Sequence, residues 1–259
     1  MSTLHALILA LIQGITEFLP VSSKSHMALY QLWFGSGSPD VAYEFSLHIG
    51  TIAATLVYFR RDLLPVLKDR KLLLMLFVTT CLLLLAWPVH HLAERLLGSE
   101  LAIATGFLVL AVLLFSAERL GGSLEEAGLP QAVAIGFAQA MAVWPGISRS
   151  GTTAFAALAT GLKPAAAFRY IFLCSIPALS GVALYELLKG LRHRGDATAG
   201  ALTVATPVLI VGILISGVTG YFALHLLDQV FIRRRLAIFG AYVLGLSVVI
   251  FARHLWPGA

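Results

Sequence analysis

Ionisable and hydroxyl side chains are concentrated in two short stretches of an otherwise apolar chain. The first stretch, ALIQGITEFLPVSSKSH (10–26), brings a carboxylate, serines, a lysine and an imidazole together around Pro20. The second, PGISRSGTTAFAALATGL (145–162), places serines, threonines and one arginine directly after a proline–glycine pair. A carboxylate, a hydroxyl nucleophile, an imidazole and a guanidinium form a set that suits phosphoryl transfer, in which positioning and charge stabilisation do most of the work.

The spacing in the first stretch predicts how its side chains meet. Gln13 and Glu17 are four residues apart and therefore share one helix face. Ser22 and Ser23 follow the proline at a predicted helix start, where backbone N–H groups lack helical partners. Ser23 and His26 are three residues apart, so we expect the imidazole to lie beside the hydroxyl. We assign Ser23 as the nucleophile, Glu17 and His26 to proton handling, and Gln13 and Ser22 to substrate binding.

The second stretch predicts a phosphate clamp. Ser148 opens a helix whose free amides would attract an anion. Arg149 follows it and offers a planar fork of donors that matches a phosphate group. Thr153 lies four residues further on the same face, and Ser150 adds another donor. We assign Arg149 to catalysis and the three hydroxyl residues to substrate binding.

Several of these residues also allow simpler interpretations. Glu17 can be a structural ion-pair partner of Lys24 or of the arginine, without any chemistry. Ser23 can be an ordinary helix cap while a water molecule attacks phosphorus directly. Lys24 is assigned to substrate binding, although its long stem can equally carry the charge to the membrane interface. Glu44 and His48 share one face of the next helix and can border the same pocket.

The composition places these residues in a membrane protein. The chain has 259 residues, of which 59% are hydrophobic and 12% charged, whereas a soluble domain has about 25% charged residues. A soluble globular domain, a disordered chain and a disulfide scaffold are therefore excluded. The net charge is +5, but the basic residues stand between hydrophobic runs, which is typical of membrane loops and not of a nucleic-acid site.

Six segments are long and apolar enough to cross a bilayer, which takes about 20 residues. We place them at 41–60, 72–92, 101–119, 166–187, 203–226 and 236–254. The two reactive stretches lie in further segments, 4–34 and 130–161, each interrupted at its centre by proline and polar residues. We predict that these two segments are re-entrant helix hairpins, because irregular backbone at membrane depth must be buried or line a cavity.

The chain also shows internal duplication. Segment LAIATGFLVLAVLLFSAERL (101–120) resembles LAIFGAYVLGLSVVIFARHL (236–255), and Pro20 and Pro145 are 125 residues apart. We predict an all-α polytopic protein with a single membrane domain over 1–259, made of repeats 1–120 and 130–259. Each repeat holds one re-entrant hairpin and three transmembrane helices. Three crossings are an odd number, so the second repeat must be inverted relative to the first, as in many transporters.

The distribution of basic residues predicts the orientation. Eleven Lys and Arg residues outside the hairpin centres fall on one side, including those of the loop 60–71, and five fall on the other. The positive-inside rule therefore places this loop in the cytoplasm, with both termini and the mouth of the first hairpin outside. The inverted repeat alone also fits a transporter or a lipid flippase. A convergent set of nucleophile, acid–base groups and arginine distinguishes a hydrolase, because transport does not require it.

The two reactive stretches, together with YEFSLHIGTIAATLVYFRRDL (43–63), resemble the bacterial undecaprenyl-pyrophosphate phosphatase family of the bacitracin-resistance type over essentially the whole chain. The resemblance implies a multi-pass hydrolase of the bacterial plasma membrane whose active site opens to the periplasmic or extracellular side. Such an enzyme removes the terminal phosphate of undecaprenyl pyrophosphate and supplies the lipid carrier for peptidoglycan synthesis. The family's catalytic and phosphate-binding positions correspond to Glu17, Ser23, His26, Ser148, Arg149 and Thr153.

The same resemblance implies a divalent cation, magnesium or calcium, held by Glu17 and by the oxygens of the substrate. Gln13 stands where the family often has glutamate, which leaves Glu17 as the main acidic group. The expected partners are a polyprenyl diphosphate and bilayer lipids, with no nucleic acid; the oligomeric state is left open, a homodimer included. A membrane phosphatase related to the soluble acid phosphatases is excluded. That class has a histidine six residues after its arginine, and Phe155 stands six residues after Arg149 here.

Overall fold

The computed structural model describes residues 2–35, 41–192 and 205–255. In these ranges the regular structure is helical, apart from an isolated bridge between Leu124 and Leu162. The helices are α1 (Thr3–Phe18), α2 (Ser23–Phe34), α3 (Val41–Tyr58), α4 (Arg60–Lys68), α5 (Arg70–Leu82), a 3₁₀ segment (Leu83–Val89), α6 (His90–Leu96), α7 (Glu100–Ala117), α8 (Leu129–Met141), α9 (Arg149–Ala159), α10 (Pro164–Arg192), α11 (Thr206–Ile232) and α12 (Ala237–Leu255). The predicted all-α class is confirmed.

Both reactive stretches are broken helix pairs. Pro20 separates α1 from α2, because proline lacks an N–H group and disfavours helical backbone in the residue before it. Leu19 is accordingly extended, with ψ of 143°. Ser22 has φ of 71°, a left-handed conformation that is uncommon for a residue with a side chain. In the second stretch α8 ends at Met141 and α9 begins at Arg149, and the segment between them contains Pro145 and the left-handed Gly146.

Gly146 is required at the second break for two reasons. Its φ of 81° is left-handed, which glycine adopts without steric penalty. A Cβ at this position would also overlap the Ile103 carbonyl oxygen and approach the Phe107 nitrogen to 2.6 Å. Helix α7 therefore runs directly against the second break and fixes its position.

Four stretches within the described residues are long and apolar enough to cross a membrane. They are the run from Arg70 to Leu96 and the helices α7, α11 and α12. The chain is a multi-pass helical membrane protein, as its composition predicts. The predicted segments 41–60 and 166–187 form α3 and α10, and their crossing of the bilayer stays a prediction. The first two residues of the predicted segment 203–226 lie outside the described residues.

Two predicted segments contain local structure that the sequence did not show. The loop predicted over 60–71 contains α4, whose Asp62 in the first turn and Lys68 in the last turn complement the helix dipole. The predicted crossing over 72–92 lies within the apolar run from Arg70 to Leu96, which is long enough to span a membrane and contains the 3₁₀ segment with Pro88. Proline removes one backbone hydrogen bond and clashes with the preceding turn, which favours a local change of helix geometry at this position.

Helix α11 holds α1 and α3 together through small residues. A Cβ added to Gly14 of α1 or to Gly50 of α3 would overlap atoms of α11, so the backbones are in close contact. Ser216 of α11 donates a hydrogen bond of 2.8 Å to the Leu47 carbonyl oxygen. Small residues at helix interfaces allow this close approach within a membrane. The packing fixes the faces of α1 and α3 that carry the polar residues described next.

Candidate active site

The two helix breaks are in direct contact. The Gly146 backbone N–H donates to the Ser25 hydroxyl at 2.7 Å, and the Ser150 hydroxyl donates to the Leu19 carbonyl oxygen at 3.1 Å. Ser22 adds a hydroxyl bond to Ser25 at 3.0 Å. The bonds of Gly146 to Ser25 and of Ser150 to Leu19 are buried and join residues more than 120 positions apart in the chain. The first turns of α2 and α9 therefore lie side by side.

Glu17 is the centre of the polar cluster at this contact. Its Oε1 accepts a hydrogen bond of 2.7 Å from Nη2 of Arg149, and its Oε2 accepts one of 2.6 Å from the Ser23 hydroxyl. Gln13 donates to the same Oε2 at 3.1 Å, while its own Oε1 is buried and accepts no hydrogen bond within the described residues. The Glu17 side chain is only 6% exposed. The carboxylate, the hydroxyl and the guanidinium predicted from sequence are thus brought together.

His26 does not lie where we expected it. Its Nδ1 is 2.9 Å from the Ser22 carbonyl oxygen, and its Nε2 is 2.9 Å from the Tyr242 hydroxyl of α12. The Ser23 hydroxyl donates to Glu17 instead. The expectation of an imidazole beside the hydroxyl is therefore wrong, because the bond to a backbone carbonyl one turn earlier fixes the ring elsewhere. Glu17 is the base within hydrogen-bond reach of Ser23.

His48 of α3 borders the cluster, which the sequence left open. Its Nε2 lies 3.9 Å from Oε2 of Glu17, and its ring is buried. Its Nδ1 is 3.1 Å from the Glu44 carbonyl oxygen. The Glu44 carboxylate itself accepts a hydrogen bond of 2.6 Å from Gln31 of α2. His48 therefore adjoins the catalytic candidates.

The hydroxyl groups of the second stretch are engaged within the protein. Ser148 caps α9 by accepting from the Gly151 N–H at 3.3 Å, and it exchanges a hydrogen bond of 2.9 Å with Ser150. Thr153 donates to the Arg149 carbonyl oxygen of its own helix at 2.7 Å. Lys24 of the first stretch is exposed. The groups best placed to receive an anion are the Arg149 guanidinium and the free amides of the two adjoining helix starts.

Comparison with known proteins identifies the family. The family model described as bacitracin resistance protein BacA matches residues 6–249. The chain belongs to this family. It is 35% identical to a protein of Korarchaeum cryptofilum over 96% of this chain and 99% of that protein. It is 36% identical to a protein of Alcanivorax borkumensis over 89% and 92% of the two chains, and 33% identical to one of Desulforudis audaxviator over 97% and 98%. All three are named undecaprenyl-diphosphatase, so the resemblance seen in the sequence is confirmed.

The polar cluster of this BacA-family protein has limited capacity for a metal ion. Within the described residues, no group of three or more His, Cys, Asp or Glu side chains could hold one. The buried Oε1 of Gln13 and the Glu17 carboxylate are nevertheless the oxygen ligands that magnesium and calcium prefer. Magnesium is commonly held by one or two protein groups together with substrate phosphates. The residues therefore fit a cation for which the substrate supplies the remaining ligands.

Proposed function

We propose that this protein removes the terminal phosphate of undecaprenyl pyrophosphate, which gives undecaprenyl phosphate and inorganic phosphate. One observation carries the chemistry: the Ser23 hydroxyl donates a hydrogen bond of 2.6 Å to the buried carboxylate of Glu17. The other oxygen of this carboxylate accepts a hydrogen bond from Arg149. A nucleophile, its base and an anion-binding cation are thus in one cluster. The names of the relatives support the choice of substrate.

In the first step, Ser23 Oγ attacks the terminal phosphorus in line with the bridging oxygen. The hydroxyl proton moves to Oε2 of Glu17, because a neutral hydroxyl is a weak nucleophile and this carboxylate is within reach. The bond from phosphorus to the bridging oxygen breaks, and undecaprenyl phosphate leaves. A water molecule then attacks the phosphoserine, the bond from phosphorus to Ser23 Oγ breaks, and Glu17 returns its proton to that oxygen. Both protons of the water leave with inorganic phosphate.

The phosphate is held by charge at the contact between the two helix starts. Arg149 uses one N–H group on Glu17, and a guanidinium has five, so the same side chain can also bind phosphate oxygens. The free amides of α2 and α9 add donors at helix ends that favour anions. Around them we place Ser22, Lys24, Ser148, Ser150 and Thr153 as substrate-binding residues, while His26 shares proton handling with Glu17.

A divalent cation, magnesium or calcium, belongs to this proposal. Gln13 Oε1 and Glu17 would hold it, and it would neutralise charge on the diphosphate when bound. The protein's own residues carry the remaining tasks of orientation and proton transfer.

We further propose the inverted-repeat architecture. Helices α1, α2, α8 and α9 have 16, 12, 13 and 11 residues, about 17–24 Å at 1.5 Å per residue, which is too short for a hydrocarbon core of about 30 Å. Within each broken pair the two helices pack against each other, as a re-entrant hairpin requires. Two pairs of equivalent helices, α7 with α12 and α3 with α10, also pack together, which supports a two-fold axis between the repeats.

In this architecture the mouth of the first hairpin and both termini face the outside of the plasma membrane. The substrate then binds from the outer leaflet, with its diphosphate at the meeting point of the two hairpins. The cytoplasmic side carries α4 and the basic residues around it.

Phosphate release by the purified protein in detergent tests the function. We expect wild type to convert a C55 diphosphate and Ser23→Ala to retain less than about 1% of the rate, a loss of at least about 2.7 kcal/mol. Ser116→Ala is the matched control, because this partly buried serine of α7 bonds only its own helix within the described residues. Detergent provides no second compartment, so a pure transporter or flippase would release no phosphate. Absence of product from folded wild type would refute the proposed function.

A further inference from the structure

Tyr242 of α12 is joined to His26 although the two residues are 216 positions apart. Its hydroxyl lies 2.9 Å from His26 Nε2, and the two rings stack at an angle of 13° with their centres 5.7 Å apart. Phe107 of α7 contacts the imidazole as well, at 5.5 Å between ring centres. The imidazole is therefore held by two aromatic side chains from helices outside both reactive stretches.

The hydrogen bonds define the state of the imidazole. A carbonyl oxygen can only accept, so the bond between Ser22 and Nδ1 places a proton on Nδ1. In the neutral ring Nε2 then carries the lone pair, and the Tyr242 hydroxyl is the donor. Because Nδ1 is committed to the backbone, Nε2 is the nitrogen of His26 that is able to exchange a proton.

We propose that Tyr242 is a positioning residue that fixes the orientation of His26 and presents its Nε2 for proton transfer. The inference rests on the proposed function, in which His26 shares proton handling. Tyr242 is 48% exposed, so its hydroxyl and the adjoining Nε2 lie at the surface of the protein and not in its closed core. Helix α12, which contributes nothing to the two reactive stretches, thereby becomes part of the working site.

The variant Tyr242→Phe tests the proposal, because it keeps the stacked ring and removes only the hydroxyl. We expect kcat for the C55 diphosphate to fall about tenfold, the effect of one hydrogen bond, while KM changes by less than about twofold. Tyr221→Phe is the matched control, since it makes the same change at a partly exposed tyrosine of α11. Equal activity of Tyr242→Phe and wild type would overturn the proposal.

A double-mutant cycle separates positioning from general support of the fold. If Tyr242 acts through His26, Tyr242→Phe should change kcat by less than about twofold in a His26→Ala background. A merely structural role would reduce activity equally in both backgrounds. Additive losses would therefore overturn the positioning role even if wild type is an active phosphatase.

A third measurement does not depend on turnover. In protein labelled with ¹⁵N-histidine, with His26→Ala used for assignment, the His26 signals should show a protonated Nδ1 and an unprotonated Nε2. The Nε2 signal should move in Tyr242→Phe and stay in Tyr221→Phe. A protonated Nε2, or a signal that Tyr242→Phe leaves in place, would overturn the inference. Inactive wild type with the expected spectrum would refute the proposed function and leave the Tyr242–His26 bond established.

Discussion

Glu17→Gln is the most informative single substitution, because it preserves shape while it removes charge. In the structure Glu17 accepts three hydrogen bonds, from Arg149, Ser23 and Gln13. The amide keeps one oxygen that can accept a hydrogen bond, but its NH2 group must face the donors on the other side of the site. An amide is also too weak a base to take the proton of the Ser23 hydroxyl. A positioned general base contributes about 10²–10⁴-fold. We therefore expect kcat to fall at least about 10²-fold, or about 2.7 kcal/mol.

The loss must be distinguished from unfolding. Arg149 would lose its partner, but its side chain is 23% exposed, so water replaces part of the interaction. We expect a destabilisation of about 1.5–3 kcal/mol, the range for a hydrogen bond to a charged group, and a protein that still purifies as a folded species. Glu94→Gln is the matched control. That carboxylate contacts His90 and His91 of α6 and is half exposed.

The assay is single-turnover phosphate release with Glu17→Gln, Ser23→Ala and the double variant. If Glu17 acts by taking the Ser23 proton, the double variant should be no slower than the slower single variant. Independent roles would instead make the two losses multiply. A folded Glu17→Gln protein that keeps more than about 10% of the wild-type rate would refute the assignment of Glu17 as the base.

Three further results are expected. Arg149→Lys should lose about two to three orders of magnitude in kcat despite its retained charge, because lysine cannot reproduce the fork of donors, and near-normal turnover would exclude the clamp. Gly146→Ala should lower thermal stability strongly by overlap with the Ile103 carbonyl oxygen and left-handed strain, and an unchanged melting temperature would contradict the close packing at the break. In intact cells an impermeant thiol reagent should label Ser2→Cys and spare Asp69→Cys, and labelling of Asp69→Cys would reverse the proposed orientation.

The sequence predicts the elements of this fold better than their contacts. Proline at two corresponding positions predicts both helix breaks, because its effect on backbone geometry is local. The four-residue spacing of Gln13 and Glu17 likewise predicts their hydrogen bond. The partner of the Ser23 hydroxyl is not local in this sense, since it depends on how the chain turns between α1 and α2. The left-handed Ser22 in that turn carries no glycine signal that would announce it.

Contacts from distant helices are least accessible to sequence. The bond between Tyr242 and His26 depends on the packing of α12, and tyrosine in an apolar helix is ordinarily read as a residue of the membrane interface. His48 offers a weak signal, since a histidine one turn after Glu44 in an apolar segment is uncommon. Even so, its approach to Glu17 follows only from the close packing of α1, α3 and α11.

The ion pair between Glu17 and Arg149 fits both interpretations of Glu17, as a structural ion-pair partner and as a group that handles protons. The first break carries a buried carboxylate and the second a guanidinium, and either charge alone would be costly at membrane depth. Their meeting stabilises the contact between the hairpins and also sets a base beside Ser23 and a cation beside the phosphate position. In the proposed mechanism an arriving phosphate binds the other N–H groups of Arg149 and draws positive charge away from Glu17, which makes the carboxylate a stronger base toward Ser23. In that proposal the ion pair is the resting state of the cluster, and substrate binding activates it.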